Sequence, residues 1–349
     1  MMENMTQQNR KYFDEITIAR GIGILLVVLG HALKQTGVTN TAVDVLIEVI
    51  YSFHMPLFFV LSGFVSVKIL QYTKAEEYIR YIKSRMLRLL LPYFVMGILY
   101  MPLKYFLSRF ARNPYDFSAA WKLVIGINPN TTMWFLYTLF WVSVTALFFV
   151  KRRVLLPMLA LSFILSAAAF SFDWGIRTPK YLFFFILGLC IREHYEEFLH
   201  WKEKKWCVAL AAALFLGCNA ALYGGFSAAE FITSVTGSIL CIILSLWFGT
   251  FTGGLAAGLK TLGESSMDIY ILSDPVQTVL RLLLWNILHI PNILVVILCF
   301  LLGVAGSFVS ARYILRRFWI FRLLLFGEKW CGKHQPEKMT VNMRQKGKL

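Results

Sequence analysis

The sequence predicts an all-α, polytopic integral membrane protein of about ten transmembrane helices with both termini in the cytoplasm, and three observations carry that prediction. Of the 349 residues, 58% are hydrophobic, 16% aromatic and only 15% charged, whereas charged residues make up roughly a quarter of an ordinary soluble domain. Apolar windows recur from end to end, each close to the ~20 residues that cross a hydrocarbon core of about 30 Å. Lys and Arg are also sorted. With the amino end inside, 27 of the 35 fall in inner segments or at the inner ends of spans, seven in outer segments or at outer ends, and one, Arg281, in the interior of a span. That asymmetry is the positive-inside signal, so the net charge of +16 orients the chain in a bilayer and calls for no nucleic acid.

Taken in order, the predicted spans are 16–33, 43–70, 87–107, 134–150, 154–172, 181–191, 206–223, 231–251, 267–289 and 293–311. The first follows two acidic residues and contains Arg20 and His31. The second is interrupted by Pro56, the third follows the basic loop "KILQYTKAEEYIRYIKSRMLR", and the fourth opens on the aromatic run "MWFLYTLFW". The fifth follows "KRR", the sixth is short, and the seventh follows the charged segment "REHYEEFLHWKEKK". The eighth has no charged residue, the ninth carries the polar stretch "LGESSMDIYILSDPV", and the tenth runs into the basic "RYILRRFWIFR". An even number of spans returns that basic tail to the side of the amino end. The division expected is a membrane domain over 12–317 and a basic cytoplasmic tail over 318–349, the chain after Ala311 reading as an amphipathic basic helix on the inner leaflet and as disordered after about Gly332. The longest outer segment, 108–133, is rich in aromatic and turn residues and reads as one that lies at the interface or re-enters toward a site.

The six cysteines show neither a paired loop spacing nor a C-x-x-C, so no disulfide framework and no metal site is expected. A signal peptide is the competing reading of the first apolar run, because Gly30-His31-Ala32 fits a small-x-small cleavage pattern. A histidine closing the run, with nine further spans behind it, favours a retained first helix.

Ionisable residues in hydrocarbon are hypotheses about function. Arg20 and His31 are eleven residues apart, which returns a 3.6-residue helix to within about 20° of its starting direction over a rise of about 16 Å. Alone, Arg20 reads as a snorkelling anchor and His31 as a packed histidine; on one face they suit an elongated substrate held at one end. Gly21, Gly23 and Gly30 read as close helix contacts. In "YSFHMPLFFVLSGF", Pro56 frees a carbonyl that protein or a wet cavity must meet, and His54 reads as a binding or structural group. Arg85 and Arg88, three apart, share a helix face, and arginine forks bind phosphates bidentately; positive-inside anchoring is the alternative. Trp134 reads as belt or acceptor contact. Glu264, Asp268, Ser273 and Asp274 bring polarity into the ninth span, where Asp268 or Asp274 is placed to orient a histidine.

The R-x10-H pair of the first span, "FHMPLFFVLSGF" in the second, "RMLRLLLPY" in the third, "MWFLYTLF" and "LGESSMDIYIL" occur together in that order over about residues 12–317. This set resembles acyltransferase family 3, the integral membrane O-acyltransferases that include O-antigen and exopolysaccharide acetylases. The resemblance implies a ten-helix fold that takes an acyl group, commonly acetyl from cytosolic acetyl-CoA, to a hydroxyl of an extracytoplasmic glycan in a bacterial inner (plasma) membrane. It implies that Arg20 and His31 are the essential first-span pair and that Arg85 and Arg88 are the third-span arginine motif. Acyl-CoA, the glycan and the bilayer are then the partners, with acyl-CoA a co-substrate and no metal or other cofactor. Where many members end the "IYIL" motif with histidine, this chain has Ser273, which points to a different acceptor. His31 serves either as general base or as an acylated nucleophile. From a different class, a transporter or flippase of a glycolipid or small anion competes, although the chain has no evident repeated halves with matching broken helices.

Overall fold

The computed structural model describes residues 13–38, 40–106, 117–171, 177–201, 205–226, 229–249 and 253–328. The end of the predicted tail with Cys331, and 108–116 of the long outer segment, lie outside the described residues. Among the described residues every regular element is helical. The helices are α1 (Asp14–Thr36), α2 (Thr41–Val65), α3 (Ala75–Arg85), α4 (Leu91–Phe106), α5 (Trp134–Phe149), α6 (Leu155–Ser171) and α7 (Arg177–Glu193). They continue with α8 (Tyr195–Trp201), α9 (Lys205–Tyr223), α10 (Ala229–Phe248), α11 (Gly254–Glu264), α12 (Ser266–Asn286), α13 (Asn292–Val309) and α14 (Trp319–Leu324).

Each of the ten predicted spans coincides with a helix. Among the described residues, eight helices are long and apolar enough to cross a membrane, one of them the continuous run Ala75–Tyr105 through α3 and α4. The other two predicted spans are α7, with 17 residues, and α12, which carries Asp268, Asp274 and Arg281. Large apolar side chains such as Ile98, Phe149, Leu156, Ile164, Leu216 and Leu301 point outward, the distribution expected where the surrounding solvent is lipid. The protein is a multi-pass membrane protein.

α1 is the central helix, packed against α2, α10, α11, α12 and α13. Its approach to α11 is backbone to backbone. A Cβ on Gly21 would lie 2.1 Å from the Leu259 carbonyl oxygen, and one on Gly263 would lie 1.8 Å from that of Thr17. α2 and α7 meet in the same way, through Gly63 against Phe185 and Gly188 against Val60. Small residues that let helix backbones close up are the membrane's substitute for a hydrophobic driving force. Gly23 and Gly30 admit aromatic rings instead, Phe58 and Tyr51, each 3.1 Å from the would-be Cβ.

Proline in α2 has a specific compensation. Pro56 has no N–H, so the carbonyl of Ser52, four residues earlier, loses its helical donor. Ser234 of α10 donates its hydroxyl to that oxygen at 2.6 Å. The freed carbonyl that marked a cavity wall in the sequence is therefore met by a neighbouring helix, and the nearest cavity begins one half-turn further along α2, at Phe58.

The described part of the long outer segment does re-enter. Asn128, Asn130, Thr132 and Met133 are buried, and irregular backbone at such a place needs partners within the protein. They are present: Tyr93 donates its hydroxyl to the Leu123 carbonyl at 3.0 Å, Asn128 donates its amide to the Tyr93 carbonyl at 2.9 Å, and Tyr270 donates to the Thr132 carbonyl. Asn130, which begins an N-T-T sequon, spends its oxygen on the Thr132 backbone and hydroxyl at 3.1 and 2.7 Å.

After α13 the chain differs from the amphipathic helix expected for the tail. A π turn (Ser310–Ile314) and a 3-10 turn (Leu315–Arg317) unwind it, and α14 is six residues long. Phe318, Trp319 and Ile320 are exposed while Leu325 and Phe326 are buried in the core, so the segment folds back onto the bundle.

The α1–α11 contact can be tested within one helix. Gly263→Val forces backbone atoms apart and is expected to destabilise by about 1–3 kcal/mol, the usual cost of overpacking. Gly258, on the same helix, has nothing within 4 Å of a Cβ, so Gly258→Ala is expected to stabilise by roughly 0.5–1 kcal/mol. Melting of the detergent-solubilised protein reads both, with opposite signs.

Candidate active site

The site is assembled around α1. Arg20 lies in its second turn, and the charges of Arg85 and Arg88 are its cationic neighbours. α3 ends at Arg85, and the chain passes through a π turn, Met86–Leu90, before α4 begins. Arg88 therefore follows Arg85 across a locally widened helix rather than on an ideal 3.6-residue face, and π turns of this kind recur at functional sites.

All three arginines line one cavity of about 470 Å³. Its walls come from α2 (Leu61, Ser62, Val65), α5 (Phe135, Leu139), the end of α11 (Gly263, Glu264) and the start of α12 (Met267, Tyr270). Arg85 donates to the Ser66 hydroxyl and lies over the Tyr81 ring at 5.0 Å. Tyr81 also lines the cavity, and its buried hydroxyl has no hydrogen-bond partner. Three guanidinium groups and an unpaired hydroxyl facing one space make a site for a polyanion.

The cavity closes at Phe58, Phe135 and Tyr270. Their rings meet edge to face, at 6.0 Å for Phe58 with Phe135 and 5.5 Å for Phe135 with Tyr270. Phe58 packs on Gly23, between Arg20 and His31 along α1. His31 thus lies beyond the aromatic barrier and does not line the cavity.

A second polar cluster surrounds His31. Its Nδ1 is 3.4 Å from the Tyr51 hydroxyl, and the same tyrosine ring packs at 4.9 Å against the ring of His54. His54 is buried, and its Nδ1 is 2.6 Å from the Ile50 carbonyl oxygen. From α12, Asp274 accepts from the Tyr100 hydroxyl at 2.7 Å and from the Gln35 amide at 3.2 Å. Tyr100 also meets Thr278 at 3.2 Å, and Thr278 accepts from Arg281 at 2.9 Å. The charges nearest His31 are Asp274, Arg281 and Lys34.

The two aspartates that the sequence treated as equivalent are thereby separated. Asp274 belongs to the His31 cluster. Asp268, six residues earlier on the same helix, is in a two-point ion pair with Arg316 at 3.0 and 3.0 Å, and Arg316 also bonds Glu328. Ser273 is buried on α12 beside Asp274. Trp134 lies outside both clusters, 5.3 Å from the Tyr181 ring and under the Arg177 guanidinium at 4.8 Å. Glu264 is the cavity's carboxylate. Tyr51, Tyr81, Tyr100, Gln35 and Thr278 escaped the sequence reading, since a lone polar residue in a span gives no register. Arg281 did stand out, as the one cation placed in the interior of a span rather than near its end.

An all-helical membrane bundle whose central helix runs from a cavity lined by three arginines to a buried cluster around His31 defines a multi-pass protein with two polar sites inside its membrane domain. A family model described as an acyltransferase domain matches residues 13–312, from the residue that precedes α1 to the π turn after α13. The chain belongs to acyltransferase family 3 and is an acyltransferase, which decides against the transporter that the sequence alone left open. No curated protein and no solved structure matches it.

The Asp268 ion pair has a measurable consequence. Asp268 is buried and Arg316 partly so, and removing one partner of a buried pair costs about 3–5 kcal/mol. Asp268→Asn should therefore lower the melting temperature, with a cost toward the bottom of that range because Arg316 keeps Glu328. A melting temperature equal to that of the unaltered chain would assign Asp268 no part in holding the tail.

Proposed function

We propose that the protein is a membrane-embedded O-acyltransferase, acetyl being the simplest group, that uses cytosolic acyl-CoA and a hydroxyl of an extracytoplasmic cell-envelope glycan. The membrane is then a bacterial inner membrane, with the Arg20 end of α1 toward the cytosol. The observation that carries this reading is the convergence of Arg20, Arg85 and Arg88 on one cavity, at one end of a helix whose other end presents His31. Acyl-CoA has the matching form, phosphates at one end and a thioester at the end of a flexible arm.

In this reading the arginines hold the phosphates with charge-assisted, two-point hydrogen bonds, and Tyr81 supplies another. The pantetheine arm passes the Phe58, Phe135 and Tyr270 rings, which must part to admit it. With the Nδ1 proton of His31 directed to the Tyr51 oxygen, Nε2 carries the lone pair and takes the proton of the acceptor hydroxyl. The acceptor oxygen bonds to the thioester carbonyl carbon, the carbon–sulfur bond breaks, and the leaving thiolate takes the proton from the imidazolium. Asp274 compensates the imidazolium charge while it exists. Family membership supports the acyl transfer; His31 as base, and acyl-CoA and a glycan as substrates, are what the experiment must establish.

The assay uses membranes, radiolabelled acetyl-CoA and a pool of cell-envelope glycans, with variants at equal expression. His31→Ala is expected to lower transfer by about 10²–10⁴-fold, the usual worth of a general base. Arg20→Gln, Arg85→Gln and Arg88→Gln are each expected to raise the KM for acetyl-CoA by about tenfold or more, since hydrogen bonds to charged groups contribute about 1.5–3 kcal/mol. Full labelling by His31→Ala would remove it as the base, and an unchanged KM in all three arginine variants would remove the cavity as the donor site.

A further inference from the structure

The His31 end of the bundle holds more positive charge than the transfer reaction uses. Arg281 gives one guanidinium nitrogen to Thr278 at 2.9 Å, while its other terminal nitrogen is buried without a hydrogen-bond partner. Trp285 is four residues later on α12, hence on the same helix face, and its indole N–H is also buried and unpartnered. Lys34, whose charge like that of Arg281 reaches His31, holds its ammonium 4.6 Å from the centre of the Tyr51 ring. Asp274, the carboxylate nearest to this group, accepts its hydrogen bonds from Tyr100 and Gln35. Among the described residues neither Lys34 nor Arg281 forms an ion pair.

Buried N–H donors without partners are rare and call for an explanation. Two of them one helical turn apart, one on a guanidinium, are complementary to an oxyanion, which accepts from both and neutralises a cation that is costly in this setting. The fork of Arg281 is tied through Thr278 and Tyr100 to Asp274, so it is held in register with the residue whose charge reaches His31. A neutral sugar would leave both cations unmatched.

We propose that Arg281, Trp285 and Lys34 recognise an acid group, carboxylate or phosphate, on the acceptor, so that the glycan acylated beside His31 is an anionic one. This rests on the acyltransfer to a glycan proposed above and names its acceptor class.

The test uses the full-length protein in membranes with labelled acetyl-CoA and envelope glycans separated by anion exchange into neutral and acidic fractions. The expected result is label in the acidic fraction at about tenfold or more the rate of the neutral one. That ratio should collapse toward one in Arg281→Gln and be largely restored in Arg281→Lys. Because both fractions are read on the same enzyme, a loss of folded protein lowers both rates and leaves the ratio, so misfolding does not mimic the result. Amidation of the acidic fraction with a carbodiimide abolishes the preference if the acid is a carboxylate, and phosphatase treatment abolishes it if a phosphomonoester. Equal labelling of the two fractions, or an unchanged ratio in Arg281→Gln, overturns the proposal. Absence of label from both fractions in the unaltered protein removes the glycan transferase reading and this acceptor class with it.

Discussion

Arg20 is where it is because its neighbour has no side chain. The contact of Gly21 with the backbone of Leu259, and of Gly263 with that of Thr17, brings α11 against the first turns of α1. The Lys260–Asp14 ion pair at 2.7 Å holds the same two helices at their ends. Since α11 ends at Glu264 and Gly263 and Glu264 form part of the cavity wall, this backbone approach sets one side of the space into which Arg20 points. An arginine inside a membrane protein is tolerated when it faces a polar cavity or a partner. The glycine contact supplies the first condition, and with Arg85 and Arg88 on the same space the cavity suits an anion.

α1 then carries two chemically different ends separated by aromatic rings. Phe58, Phe135 and Tyr270 come from three different helices, and Tyr270 also donates to the Thr132 carbonyl. The barrier is thus linked to the re-entrant segment, and any movement of the Tyr270 ring is felt by the residues that precede α5. A donor held among arginines and an acceptor held near Asp274 would meet only when these rings separate. Under the function proposed above, such an arrangement would keep water away from a thioester until both substrates are in place, by position alone.

Much of this was legible in the sequence, and what was not has a physical reason. The eleven-residue spacing of Arg20 and His31 is a helix property, so their common helix and their separation followed from arithmetic. The close contacts of Gly21, Gly23 and Gly30 followed from the membrane's demand for small residues. Arg85 and Arg88 do share a cavity, although through a π turn that periodicity does not reveal. Asp268 and Asp274 stood as equals because their alignment depends on which helix faces them; Arg316, from the far end of the chain, and Tyr100, from α4, decide it. The tail was misjudged for a similar reason. Its basic and apolar pattern fits a surface helix, but Arg316 is drawn to Asp268, and Leu325 and Phe326 find the core.

That returning tail gives the Arg88 turn its second support. Gly327 has a left-handed backbone, φ 63°, and a Cβ there would lie 2.2 Å from the Leu87 carbonyl oxygen, so only glycine permits the approach. Glu328, the next residue, bonds both Arg316 and Arg322. Burial would raise its carboxyl, but the two arginines outweigh burial and hold it below the ordinary carboxylate value. The sign follows: a carboxylate with a lowered value in the folded state contributes stability at neutral pH and loses it only as pH falls through that lowered value. Glu328 is therefore charged under ordinary conditions, and Glu328 and Asp268 are also the acidic groups whose charges reach Arg88. Arg88 thus sits beside carboxylates already committed to other arginines, which leaves its own hydrogen-bonding fork to the cavity that it lines.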